Sequence, residues 1–292
     1  MSALKRKSSV ALIIGIIIML LLIPIWYTMV VPSVIVSALE KMDITTSYEG
    51  TMGYFAPLPI LIKAHVYAEE VKVENVILKF EVNTTYMNMT LPQFSGNSTY
   101  VLNKYTRENV IDAPEADKPR EGYDYFYPLH LKAGEDIPNA WLDNLNTTAT
   151  LEFKESIEEE GVTLCKYVAE KTMTMEVYVE GIGMQNIALE ATKTILIEPL
   201  SGLWVYTEKE TFYSRVGSIP FIYLEYNSTA EAKAQGLSDA KAVCDGMQLL
   251  ELYVPMILGV ITIVLTMALA YDVWRLKRKK QHEPKTQFPA SI

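Results

Sequence analysis

The hydrophobic positions of this chain are gathered at its two ends. From Ser8 to Val31 no residue is charged, and Val10 to Gly15, Ile16 to Ile23 and Ile25 to Val31 make an almost unbroken apolar run. At about 1.5 Å of rise per residue that run gives a helix of roughly 36 Å, longer than a hydrocarbon core of about 30 Å. A second uncharged run, the 19 residues from Leu252 to Ala270, is also sufficient. Each predicts a spanning helix: one over 8–31, one over 252–271. Pro24 and Pro255 sit inside or at the edge of these runs, where neighbouring groups can satisfy the carbonyls they release.

Between the ends the pattern changes to short runs rich in Val, Ile, Thr, Tyr and Phe, many alternating with polar residues, which is the period of strands. The runs are Ala64 to Ala68, Val76 to Val82, Thr148 to Lys154, Thr163 to Ala169, Thr172 to Glu180, Thr194 to Glu198, Leu203 to Glu208 and Phe221 to Tyr226. Glu158 to Gly161 reads as a hairpin tip and Pro199, Ser201 and Gly202 as another turn. Lys104 to Gly122, with Pro114 and Pro119, reads as a long loop or a boundary between sub-lobes. Only Ala230 to Glu251 predicts a helix outside the membrane, with Gly236 as a break in it. The fold class expected is a mainly β (α+β) domain over 32–251 of antiparallel sheets, drawn as two similar sheets packed together, flanked by one transmembrane helix at each terminus.

Charge orients this layout. Lys5, Arg6 and Lys7 precede the first run; Arg275, Lys277, Arg278, Lys279 and Lys280 follow the second. The positive-inside rule places tails 1–7 and 272–292 in the cytoplasm and the middle outside, in the cell (plasma) membrane. Trp26, Tyr27, Tyr253 and Trp274 stand where an aromatic belt is expected. A cleaved signal peptide has a similar outline, but its apolar core is shorter, and Val34, Ile35 and Val36 crowd the small-residue site between Ser33 and Ala38. An uncleaved anchor is the reading taken. Of 26 bases and 35 acids, 17 and 33 fall between the runs, a net charge near −16. That balance argues against nucleic acid as a partner and suits solubility, cations or a basic partner.

Two features bear on compartment. Asn83, Asn88, Asn97, Asn146 and Asn227 each begin an Asn-x-Ser/Thr acceptor, and all lie between the runs, as expected of a surface facing a glycosylating exterior. The only cysteines, Cys165 and Cys244, lie there too. One disulfide would close a loop of about 80 residues and contribute on the order of 4 kcal/mol; two independent thiols are the other reading.

Chemistry-bearing constellations are scarce. The three histidines, His65, His130 and His282, have no second ligand at metal-site spacing. Gly181-Ile182-Gly183 follows a strand pattern, but Asn186 stands where a dinucleotide fingerprint needs its third glycine, so a turn is expected. Glu158 to Glu160 read as solvated carboxylates at a hairpin tip, with calcium chelation as the other reading. No cofactor, metal or catalytic residue is expected, and the chain is read as a non-enzyme. Tyr123, Tyr125 and Tyr127 alternate with Asp124 and Phe126, which in a strand puts three phenols on one face, either a ligand face or a sheet covering.

Val31-Pro32, Thr45 to Thr51, Tyr125-Phe126-Tyr127-Pro128 and Glu198 to Val205 together resemble the PorA-type porin family of actinobacterial and archaeal envelope proteins. The resemblance runs over nearly the whole chain and implies a double-anchored envelope protein with a β-rich ectodomain. A membrane β-barrel needs lipid-facing strands of about ten residues. The strands here carry acceptor sites and dense charge, and belong in water. Two expectations follow: a glycosylated cell-surface protein whose ectodomain binds a lipid or protein ligand, or a transport component of the envelope, porin-like or lipid-carrying. Its partners would be the bilayer, that outer ligand and further copies of itself.

Overall fold

In the computed structural model, residues 2–53, 57–117, 119–179, 183–217 and 219–281 are described. Glu180, Gly181, Ile182, His282 and the remainder of the basic tail, on which several of the expectations above fall, lie outside them. The chain divides into two compact units, one from the first 34 residues with those from Gln248 onward, the other Ile35–Met247.

The first unit is helical. α1 (Ser2–Ile25) is followed by a π turn over Trp26–Val30 and by α2 (Val31–Glu40), whose first residues belong to this unit. Its other arm is a π turn over Leu249–Tyr253 and α4 (Val254–Gln281). Large apolar side chains such as Ile14, Ile17, Leu21, Ile257, Val264 and Met267 are exposed along α1 and α4, the surface a bilayer covers. Two helices here are long and apolar enough to span a membrane.

The π turns follow from the prolines. Val254 N–H bonds to Leu249 O, five residues back, so Leu250 O loses its usual donor. Pro255 has no N–H for Glu251 O. Both carbonyls are taken by side chains of the other π turn: Trp26 Nε1 donates to Leu250 O at 2.7 Å and Tyr27 Oη to Glu251 O at 2.8 Å. The aromatic pair expected to mark a membrane interface also joins the two helices.

Among the described residues the second unit is one open antiparallel sheet of eleven strands, rather than the two packed sheets expected. In chain order they are β1 (Asp43–Gly53), β2 (Leu58–Val71), β3 (Asn75–Tyr86), β4 (Met89–Thr90), β5 (Gly96–Asn103), β6 (Ile137–Leu142), β7 (Thr147–Glu159), β8 (Val162–Val179), β9 (Gly183–Glu198), β10 (Leu203–Val216) and β11 (Ile219–Ser228). The spatial order is β4-β3-β2-β1-β11-β10-β9-β8-β7-β6, with β5 beside β3. The two runs expected over 163–180 are one long strand, β8. The hairpin tip at Glu160 and Gly161 has both residues left-handed, at φ 49° and 79°, the requirement of a two-residue turn that matches strand twist.

The sheet curls so that residues from both its ends share one core. Tyr48 of β1 and Ala64 of β2 pack with Ile137 and Leu142 of β6, Leu151 of β7, Tyr167 of β8 and Ile195 and Ile197 of β9. On the other face α3 (Ala230–Gln248) covers β8 to β10 through Leu237 and Ala240, which meet Leu164, Leu196 and Val205. Gly236 does not break this helix. A Cβ there would stand 2.1 Å from Val205 O, so the missing side chain is what lets α3 lie against β10.

The segment between β5 and β6 is not a boundary between lobes. Asn109 bridges to Leu102 and to Gly122, and Tyr123 bridges to Ala140, so single residues cross between the two edges of the open sheet. Asn109 donates to Gly122 O with its backbone N–H at 2.8 Å and its Nδ2 at 2.9 Å.

Candidate functional site

The curl of the sheet encloses a cavity of about 270 Å³. Its walls are apolar: Met52 of β1, Ile60 and Ile62 of β2, Phe80 of β3 and Leu224 of β11. Alternation puts these positions on the inner face, where the core would otherwise continue.

At one side the wall is aromatic. Tyr48, Tyr125, Trp204 and Tyr226 all line the cavity. Tyr48 lies 6.3 Å from Trp204 and 5.3 Å from Tyr226 between ring centres, and Tyr125 lies 6.0 Å from Trp204. Of the three phenols picked from the sequence, only Tyr125 faces this space. Their segment makes isolated bridges rather than a regular strand, so the alternation is imperfect. Tyr127 is wholly buried in the core and Tyr123 packs 6.3 Å from it.

Beside the aromatics is a chain of charges, buried except at its Asp143 end. Glu210 of β10 and Asp124 flank Lys193 of β9; Lys193 Nζ is 3.7 Å from Asp124 Oδ1. Arg120 pairs with Asp124 and, at 2.8 Å, with Asp143 Oδ1. Its guanidinium also lies 4.5 Å from the Tyr100 ring centre. Glu210 accepts from Asn144 Nδ2 at 2.8 Å and from the Tyr226 hydroxyl.

Burial dominates the titration of these groups. It pushes the Asp124 carboxyl up to about 6, helped by Asp143 and opposed by Arg120 and Lys193. Burial likewise raises the Glu210 carboxyl against the pull of Lys193. For Lys193 burial works to lower the ammonium, but Tyr127, Glu210 and Asp124 outweigh it and hold it above its ordinary value. The two cations therefore stay charged, while burial raises the Asp124 and Glu210 carboxyls above their ordinary values.

Asp124 alone of this charged set lies in the sequence row singled out beforehand. Lys193 carried a signal: it falls between Ala191 and Ile195, both inward-facing core residues, so a lysine occupies an apolar parity row.

The other candidates lie elsewhere. Asn83, Asn88, Asn97, Asn146 and Asn227 are all exposed. Asn83 and Asn97 line a shallow outer cleft beside His65, whose Nε2 is 2.7 Å from Asp43 Oδ1. Asn88 and Asn146 hold left-handed turn conformations, at φ 64° and 50°. Cys165 lies on β8 and Cys244 on α3. Cys165 is buried on β8 with its Sγ 3.7 Å from Ser156 Oγ.

No curated protein matches the sequence. Among solved structures, a protein assigned as an oleoyl thioesterase from Lactobacillus plantarum aligns over 66% of this chain and 78% of that one, at 10% identity and a TM-score of 0.14. At that score the likeness carries no argument. The family described as Porin PorA matches residues 9–271, and with its apolar helices and its β domain this membrane protein belongs to the PorA porin family.

Proposed function

We propose that this protein is a transport component of the cell envelope that carries an apolar or amphipathic molecule in the cavity of its sheet. The two terminal helices anchor it in the plasma membrane, with both tails cytoplasmic and the sheet outside, as the basic residues at each tail favour. The work assigned is binding and transfer, with no chemical step. The observation that carries the reading is the cavity, apolar along its walls and polar at one side, which is the form of a small-molecule site. Membership of a porin family supports transport in preference to a surface receptor.

A pore through the sheet itself is disfavoured by its interior. Tyr127, Tyr167, Ile195 and Ile197 are completely buried inside the curl. A lipid-facing barrel would also need a closed ladder, and this sheet is open. Carriage rather than conduction through strands fits both facts.

The test is native mass spectrometry of the full chain released from its own membrane. Stoichiometric lipid on the protein is the expected result. Lipid-free protein that passes small solutes through liposomes would replace the carrier with a pore. Lipid-free protein without flux would sink the transport reading and leave a surface receptor. The same spectra would show glycan mass on the exposed acceptor asparagines, expected of an outward-facing sheet.

A further inference from the structure

Resting on the carrier reading, we propose that the cavity selects amphiphiles with a cationic, alkylammonium head, seated in the aromatic box beside Glu210 with the alkyl tail along the apolar wall.

Two independent features point to a cation. The first is the box. Tyr48, Tyr125, Trp204 and Tyr226 bring four rings to one side of a desolvated space, and ring faces attract ammonium groups but not carboxylates. The second is the charge count. Glu210, Lys193, Asp124, Arg120 and Asp143 alternate in sign, so two cations are shared among three carboxyls. Asp124 lies between the two cations; of the chain's two acidic ends, Asp143 is 39% exposed, whereas Glu210, with Lys193 alone beside it, is buried against the cavity. A bound cation neutralises the buried end, where an anion would add to the imbalance.

The hydroxyls of Tyr127 and Tyr100 lie deeper in the core, outside the lining of the cavity. Both are buried without a hydrogen-bond partner among the described residues. Tyr127 feels Lys193 and Asp124, and Tyr100 feels Asp124 and Arg120, so both belong to this cluster.

The preference depends on pH. The titratable groups that couple to Glu210 are Lys193, Asp143, Tyr226, Asp124, Tyr48 and Tyr127. The phenols stay neutral because burial raises them, and Lys193 stays charged. Acidification through about pH 6 therefore acts on Asp124, whose protonation removes the surplus negative charge.

The experiment is calorimetric titration of the full chain in nanodiscs, with empty nanodiscs as reference, using octyltrimethylammonium, octanoate and octanol. At pH 8 octyltrimethylammonium should bind about tenfold tighter than octanol and tighter still than octanoate, with the advantage shrinking several-fold at pH 5. Glu210→Gln should cancel most of the advantage of octyltrimethylammonium over octanol, and Glu208→Gln, on the same strand but exposed, should leave it in place. Octanoate equal to or tighter than octyltrimethylammonium, or octanol equal to it at pH 8, overturns the inference and leaves the carrier reading standing. Absence of binding by all three overturns both.

Discussion

The phenol of Tyr27 donates to the carbonyl of Glu251, the carbonyl that Pro255 leaves without a backbone donor. Near the hydrocarbon region an unpaired carbonyl is costly, so a proline in one helix and an aromatic in the other form a single unit.

That relationship gives a double-mutant cycle. Tyr27→Phe should cost about 1 kcal/mol, the typical worth of an interhelical hydrogen bond in a membrane. In a Pro255→Ala background a backbone N–H returns to Glu251 O, and the same substitution should cost close to nothing. Thermal unfolding of the four proteins in nanodiscs measures the coupling. Equal costs in both backgrounds would show that the phenol acts by packing alone.

Gly236 and Gly246 both lie on α3 and should respond in opposite directions. Gly236→Ala drives a methyl group against Val205 O and should destabilise the sheet domain by about 1–3 kcal/mol. At Gly246 nothing lies within 4 Å of a new Cβ, so Gly246→Ala should stabilise by about 0.5–1 kcal/mol through helix propensity. Denaturant midpoints compare the two.

The buried Asp124 carboxyl fixes a pH dependence of stability. Its folded value of about 6 lies above the ordinary 3.8, so between them the folded state holds more protons than the unfolded one. Stability from this group is therefore greatest below about pH 4, falls as pH rises to about 6, and is level above. The full span is on the order of 3 kcal/mol. Denaturant titrations from pH 4 to 7 should show the fall in the native chain, and Asp124→Asn should flatten it while lowering stability overall, since Arg120 and Lys193 lose an acid partner.

The two thiols make a simpler prediction. Iodoacetamide added to the unfolded protein without reductant should attach twice, once each at Cys165 and Cys244. In the native fold Cys165 should react far more slowly, being buried on β8, where burial also raises its thiol above the ordinary value. A native mass two hydrogens light would show a bridge instead.

The terminal helices were legible because a long uncharged run has few other meanings. Strands β2, β3 and β7 to β11 were legible in part because their apolar residues alternate. β1 escaped: in Asp43–Gly53 the inward positions include Thr46 beside Tyr48, so its buried face looks polar. The charged side of the cavity was largely hidden for a different reason. Lys193 and Glu210 are register partners on the neighbouring strands β9 and β10, Arg120 and Asp124 come from a distant loop, and the curl of the sheet brings the two pairs together. Separation in sequence leaves no spacing to recognise. A single lysine out of place in an apolar row was the trace that remained.

Neighbouring strands of this sheet are joined by long ladders, ten paired positions between β1 and β2 alone. Its two edges meet through Asn109, Gly122 and Tyr123, one residue at a time. Parting the edges breaks a few hydrogen bonds, whereas parting any two long neighbours breaks a whole row. The curl is thus closed by a seam, the line along which the domain can yield without the sheet giving up its order anywhere else.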